Sequence, residues 1–541
     1  MNSILQLKGR FEQRSNRSRP GSPKLPKGKS VSASHLRELE KQLERILVYW
    51  TENKDIRGAL VSVHYKHIVA KSNRLKILLS ENGKSPTESI RGAKFVWEPD
   101  QKGNEVQKHV FTHFVSLQAI EKSIDVLKKT ASIIEQYYKG SVPSEVIEEL
   151  GEKYHFNEVP KTSFLKTVVD GFYVERFDID RATEEITEEA IITIYQTGVD
   201  TKRLLSKFGI DIVDDRIIDG TTLRLNPDEV KLLYNNASYL IAMGVTDFSE
   251  ISRDDVLDAY EDMEEEAGLL IPHPQNEPVI GVIDTQFNEK VYFHEWVEYK
   301  NLLDPNIPLS RKDYEHGTAV SYIIVDGPQG NPELADGCGR FRVRHFGVAT
   351  NNGFSSFTVL KMIRNIVASN RDIKVWNLSL GSKLEIKPNF ISPEAAELDR
   401  IQSEYDVIFV VAGTNIPAGV TKKNMRIGFP ADSLNSMVNA VDFAGNSASY
   451  TRIGPVLSFF HKPDVSYYGG DGTVYTDKMV VCKDDMGAAY VAGTSFAAPW
   501  ISRKLAYLIH IMGLSREVAK ALLIDAAAGW NRRDDISHRI G

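Results

Sequence analysis

Apolar and polar positions change rhythm several times along the chain. Between His35 and Trp50, Leu36, Leu39, Leu43, Ile46 and Leu47 recur at steps of three and four. That spacing predicts one face of a helix, with Ser32 or Ser34 as its cap. Short β-rich runs follow at 58–69 and 93–99, with a turn signal at Glu81-Asn82-Gly83 between them. The segment 115–140 reads as a long amphipathic helix stopped by Gly140. Residues 35–165 therefore read as an α+β module, and no chemical motif stands out in it.

Residues 166–246 carry a second rhythm. FYVERFDI reads as a strand, and EEAIITIYQTGVDTKRLLSKFG as a helix ending at Gly209. IDIVDDRII and TTLRL read as strands around the turn Asp219-Gly220. Asn226 is placed to cap the next helix, with Pro227 at its first position, and SYLIAMGV closes the unit as a strand. The order β-α-β-β-α-β is that of a ferredoxin-like split unit.

From Pro278 onward, apolar strands alternate with helical patterns: VIGVID, KVWNLSLG and VIFVVAGT between amphipathic stretches, then a long helix over 495–513. Such alternation predicts an α/β domain with a mostly parallel sheet flanked by helices, whose ligands lie beyond the carboxyl ends of the strands. The domain covers 278–541. The segment 247–277 before it is a linker: residues 247–266 hold ten acids against one base, Arg253. A run of this kind reads as a solvated face or as a regulatory segment.

Composition narrows the class. With 66 basic and 73 acidic residues the net charge is −7, so no overall basic footprint for nucleic acid exists. Residues 1–34 depart locally from this balance, with eight basic residues between Lys8 and Lys29 against Glu12, and read as a flexible basic arm. Only two cysteines occur, Cys338 and Cys482. Two thiols suit a reducing compartment and cannot make a four-ligand zinc site, so no metal or cofactor is expected. No stretch approaches the ~20 apolar residues of a membrane span, and the N-terminus lacks a signal-peptide core. A cytoplasmic protein without a membrane partner is the expectation.

Three polar residues stand at the ends of apolar elements in this last domain. Asp284 closes VIGVID, His316 opens HGTAV, and Ser495 enters a helix within GTSFAAP. A carboxylate at the end of a buried strand is costly unless paired. An Asp, a His and a Ser so placed can form an orienter–base–nucleophile chain. Asn415, after VVAGT, could donate its amide to an oxyanion beside the Ser495 backbone N–H. Plainer readings fit each residue alone: a core histidine, a structural acid, a helix cap, a turn asparagine. They do not explain the four in order. His294, His345 and His461 read as surface or structural residues, and both cysteines as inert.

The segment from Val279 to Asp525 resembles the subtilisin-like serine peptidases, the subtilases, through Val282-Ile283-Asp284-Thr285, His316-Gly317-Thr318-Ala319-Val320, Asn415 and Gly493-Thr494-Ser495-Phe496-Ala497-Ala498-Pro499. The resemblance implies that Asp284, His316 and Ser495 are the catalytic triad and Asn415 the oxyanion donor. It also implies that Ser379-Leu380-Gly381 pairs with an extended substrate. Ala412-Gly413-Thr414 is then the other wall of the first specificity pocket and Gly428 its floor, open to a sizeable apolar group. A cis bond before Pro430 goes with this. Two positions depart from the family: Gln286 and Thr414 stand where glycine is usual. The unit 166–246 resembles the inhibitor-type propeptide of subtilases, which implies a module that packs on the protease helices and an extension that occupies the cleft. The N-terminal 160 residues resemble a bacterial intracellular subgroup encoded beside an ATPase, which implies an ATPase partner. Members of this kind often continue beyond the point where this chain ends, at Gly541.

The leading expectation is an intracellular serine endopeptidase acting on protein or peptide substrates and kept latent by its N-terminal region. The alternative, motivated by Gln286 and Thr414, is a catalytically weak scaffold that only binds peptide.

Overall fold

A computed structural model of the protein describes residues 24–527, apart from the segments 82–83, 100–102, 184–188, 219, 247–250, 253–255, 258–270, 352–355, 383, 387–390, 418–423, 435, 457–460, 472–476 and 486. Most of the basic arm, most of the acidic run and the turn positions Asn82, Gly83 and Asp219 lie outside the described residues. The chain divides into two compact units. One runs to Arg181 and includes Gln196–Val199; the other holds Ala182–Tyr195 and the chain from Asp200.

In the first unit, helix Ala33–Glu52 is capped by Ser32, whose side chain accepts from the His35 N–H. Its buried face holds Leu36, Leu39, Leu43, Ile46 and Trp50. Helix Leu117–Tyr137 packs against it and is capped by Ser116. Past its end Gly140 takes φ +83°, the left-handed conformation that favours glycine. A four-stranded antiparallel sheet completes the unit, in the order Ile90–Pro99, Glu105–Val115, Ala59–Tyr65, Val174–Asp178. The strand Glu105–Val115 is absent from the sequence reading because polar Lys108, Thr112 and His113 are buried in it, which hides the alternation. Lys108 is tolerated there by an ion pair with Glu175 at 2.8 Å.

The strand expected at FYVERFDI is Val174–Asp178, but it pairs with Ala59–Tyr65 and belongs to the first unit. The split unit begins instead at Ala190. The expected helix EEAIITIYQTGVDTKRLLSKFG divides into the strand Ala190–Ile194 and the short helix Thr201–Ser206. Ile191, Ile192 and Ile194 are all buried, so the run has no amphipathic period, and their β-branches favour an extended backbone. IDIVDDRII contributes one bridge residue, Ile217, opposite Leu223. The order is then Ile217, Thr222–Leu225, Ala190–Ile194, Ile241–Thr246, every pair antiparallel. That is the β-α-β-β-α-β arrangement with its first strand moved. Asn226 and Glu229 form a capping box on helix Pro227–Ala237. Ile191 and Ile218 pack on Phe357 of helix Ser356–Ser369, and Lys361 of that helix pairs with Asp215 at 2.7 Å.

The rest of this unit is built on a seven-stranded, all-parallel sheet. Its order is Val297–Asn301, Arg342–Gly347, Val279–Asp284, Val375–Leu378, Ile408–Ala412, Ser436–Val441, Val465–Tyr468. The chain starts at Val279–Asp284, winds to one side, returns and winds to the other. The reversal therefore falls at this strand, where open α/β sheets place their ligands. Side chains alternate between two cores. Ile280, Val282, Val410 and Ala412 face helices Lys312–Gly330 and Thr494–Ala506. Ile283, Trp376, Phe409 and Val411 face helices Ser356–Ser369 and Pro393–Tyr405. Asp284 shares the parity of Ile280 and Val282, so it projects toward the first helix pair. Arg503, fully buried, ties that pair together: it donates to the Ile324 carbonyl and to both oxygens of Asp336.

Candidate functional site

The two helices on this face carry His316 and Ser495. The Nδ1–H of His316 donates to Asp284 Oδ1 at 2.5 Å, and both groups are buried. A carboxylate only accepts, so the proton sits on Nδ1 and Nε2 is left as an acceptor. The Thr285 N–H also donates to Asp284 Oδ1, at 2.7 Å. The His316 ring lies against Phe496, the neighbour of Ser495, with centroids 5.6 Å apart.

Ser495 is the second residue of helix Thr494–Ala506, so its N–H belongs to the unpaired first turn. Its hydroxyl donates to the Ser379 carbonyl at 3.3 Å. Pro499, four residues on, has no N–H to offer the Ser495 carbonyl. Ser379 Oγ takes that place and donates to the Ser495 carbonyl at 3.0 Å. Asn377 Nδ2 donates to Ser379 Oγ, and Ser502 Oγ donates to Asn377 Oδ1. A buried chain of hydrogen bonds thus ties Ser379 to helix Thr494–Ala506. The sequence signal for Asn377 was a polar residue inside the apolar run VWNLSLG.

Asn415 stands beside the same helix. Its Oδ1 accepts from the Thr494 N–H and from Thr494 Oγ, which fixes the orientation of the amide and its NH₂ end. Its carbonyl accepts from Arg452 Nε at 2.7 Å. Asp284, His316, Asn415 and Ser495 are therefore all at the carboxyl edge of the sheet.

Gln286 turns away from this centre. Its Nε2 donates to the Ala349 carbonyl and its Oε1 accepts from Tyr299, filling space left by Gly347. His345 is not a surface residue. It is fully buried behind Thr285: its Nε2–H donates to the Thr285 carbonyl at 2.7 Å and its Nδ1 accepts from Ser321 Oγ at 2.9 Å. Burial pushes its pKa down to about 4, so the ring is neutral. Both thiols are pushed up by burial, Cys338 to about 11 and Cys482 to about 12.

The pocket segments lie together. Ser382 N–H donates to the Phe429 carbonyl and Ile386 N–H to that of Ile427, so Ser382 and Ile386 lie beside 427–429. The Phe429–Pro430 peptide bond is cis. A Cβ on Gly428 would meet the Ser382 carbonyl oxygen at 2.2 Å. Thr414 places its side chain between Gly381 and Gly428. Leu380 and Ala412 are buried on either side.

Two short strands preceding this domain pair with segments near these residues. Ile251–Ser252 lies antiparallel to Gly381–Ser382, and Val256–Leu257 lies antiparallel to Val491–Ala492, just before Gly493-Thr494-Ser495. Among the described residues, no group of three or more His, Cys, Asp or Glu side chains could hold a metal ion, and no helix is long and apolar enough to cross a membrane.

Residues 275–541 match the model of the subtilase family. No curated protein sequence matches the chain. Among solved structures, the epidermin leader peptide processing serine protease EpiP from Staphylococcus aureus is 17% identical, with a TM-score of 0.45, over 65% of this chain and 95% of that one. The prenylagaramide maturation protease PagA is 19% identical, with a TM-score of 0.38, over 49% of this chain and 89% of that one.

Proposed function

We propose that the chain is a serine endopeptidase that cleaves protein or peptide substrates inside the cell and is held latent by its own N-terminal region. The observation that carries the chemistry is the buried Asp284–His316 pair on the helix packed against the one that presents Ser495. In the reaction, the Ser495 hydroxyl leaves the Ser379 carbonyl and gives its proton to His316 Nε2 as Oγ attacks the scissile carbonyl. The Asn415 NH₂ group and the Ser495 N–H receive the oxyanion. His316 then passes its proton to the departing amine, leaving an acyl group on Ser495 that water removes by the same steps. Asp284 keeps the imidazole in the required tautomer and stabilises its charged form.

Latency is supported by the pairings of 251–257. A substrate grips such an edge by adding a strand to it. Ile251–Ser252 already occupies Gly381–Ser382, and Val256–Leu257 occupies the strand leading to the nucleophile. Only Arg253-Asp254-Asp255 separate the two strands in sequence. A free peptide must displace them. The direction in which Gln286 points favours catalysis over the scaffold reading, since that residue fills a gap away from the triad.

The test is peptide hydrolysis by the full chain and by Ser252→Pro, since proline cannot donate to a strand ladder. At ~0.5–1.5 kcal/mol per lost hydrogen bond, the variant gains up to ~10-fold in kcat/KM. Ser495→Ala abolishes hydrolysis, and intact mass shows whether any self-cleavage disappears with it. Hydrolysis that survives Ser495→Ala overturns the catalytic assignment; equal rates for Ser252→Pro and wild type overturn the latency.

A further inference from the structure

Thr414 is in an unusual backbone state. Its φ is +64°, in the left-handed region that glycine favours and that a β-branched residue rarely enters. Two hydrogen bonds hold it there: Oγ1 donates to the Gly413 carbonyl at 2.6 Å and accepts from the Gly428 N–H at 2.9 Å. The residue is 8% exposed.

The side chain fills a particular space. A Cβ built on Gly381 would lie 2.3 Å from Thr414 Cγ2, so the threonine methyl rests directly on the backbone of the substrate edge. A Cβ built on Gly428 would lie 3.1 Å from Thr414 Oγ1. One threonine thus bridges the edge that a substrate pairs with, the strand end at Ala412-Gly413 and the floor at Gly428. A substrate laid along Ser379–Gly381 with its carbonyl at Ser495 directs the side chain of its cleaved residue into this space.

We propose that Thr414 is a specificity-determining residue: it closes the bottom of the first pocket and restricts cleavage to bonds whose carbonyl belongs to a small residue, glycine, alanine or serine. This rests on the serine endopeptidase reading above. It also assigns a reason to the strained backbone, because from that conformation the methyl reaches Gly381 and the hydroxyl reaches Gly428. A bare Gly428 floor predicts an open pocket; Thr414 Oγ1 lies against that floor instead.

The experiment uses the full chain and two peptidyl diphenyl phosphonates that differ only in carrying alanine or phenylalanine at the position that reaches Ser495, alongside a fluorophosphonate with no such side chain. The wild type reacts with the alanine probe ~10- to 100-fold faster than with the phenylalanine probe, a ratio in line with the effect of a few methylenes in a closed pocket. Thr414→Gly raises the phenylalanine-to-alanine ratio at least ~10-fold. Thr414→Ser, which removes only the methyl and keeps both hydrogen bonds, moves the ratio the same way by less; it secures the test if the glycine variant folds poorly. A wild type that reacts faster with phenylalanine, or a ratio unmoved in both variants, overturns the role of Thr414 while fluorophosphonate labelling of Ser495 leaves the peptidase reading intact. Failure of the fluorophosphonate itself to label Ser495 overturns both.

Discussion

His345→Phe tests whether the layer behind Asp284 and His316 is arranged as described. The substitution keeps the ring's bulk but removes both of its hydrogen bonds, leaving Ser321 Oγ and the Thr285 carbonyl buried without the partners at 2.9 and 2.7 Å. At about 1–3 kcal/mol for each buried group left unpaired, the variant is ~2–6 kcal/mol less stable at pH 7. A second, pH-dependent effect opposes this. Folded His345 stays neutral down to about pH 4, whereas in the unfolded chain it takes a proton near its ordinary 6.5. Above 6.5 both states are neutral and nothing is lost. As the pH falls, the unfolded state binds the proton first and the wild type loses stability, by about 2 kcal/mol at pH 5 and ~3 at pH 4. The variant has no such group. The gap between the two proteins therefore narrows by about 2 kcal/mol between pH 7 and pH 5. Carboxyls that also titrate in this range, such as Asp399 and Asp432, both pushed up to about 6 by burial, are present in both proteins and cancel in the difference. Hydrogen exchange of the amides in Val279–Asp284, measured in a Ser495→Ala background, reads the stability of this unit. A gap that is the same at pH 7 and pH 5 refutes the account of a neutral, buried His345.

Two further substitutions address the site and its latency. Asn415→Ala lowers kcat ~10²–10³-fold, the usual loss of one oxyanion donor, with little change in KM in steady-state peptide hydrolysis; a changed KM at constant kcat assigns Asn415 to substrate binding instead. Asn226→Ala breaks the capping box with Glu229 and costs helix Pro227–Ala237 about 1 kcal/mol. Because this helix belongs to the module that precedes the cleft-bound strands, basal peptide hydrolysis rises, and unchanged hydrolysis separates the module from latency.

The candidate residues were legible because each sits in a short string tied to one element: the end of a buried strand for Asp284, the second turn of helix Lys312–Gly330 for His316 and the first turn of helix Thr494–Ala506 for Ser495. The parallel sheet was legible for a similar reason, since buried strands such as VIFVV carry continuous apolar runs. What could not be read depends on contacts between distant segments. Asn377 and Ser502 matter because Pro499 frees a carbonyl that Ser379 then takes, a link across 116 positions. His345 reads as an ordinary histidine until Thr285 and Ser321 are seen on either side of it. The first strand of the ferredoxin-like unit was misplaced because Ala190, Ile191, Ile192 and Ile194 are all buried and flanked by helix-forming residues. Thr414 was visible as a departure from glycine, but only the positions of Gly381 and Gly428 reveal what its side chain fills.

The central claim, that Asp284, His316 and Ser495 act as one catalytic unit, is tested most directly by fluorophosphonate labelling of the wild-type chain and of Ser252→Pro, with the modified peptide located by mass spectrometry. The account predicts a single adduct on Ser495, faster in Ser252→Pro and lost in His316→Ala. An adduct on another residue, or none under either condition, contradicts it.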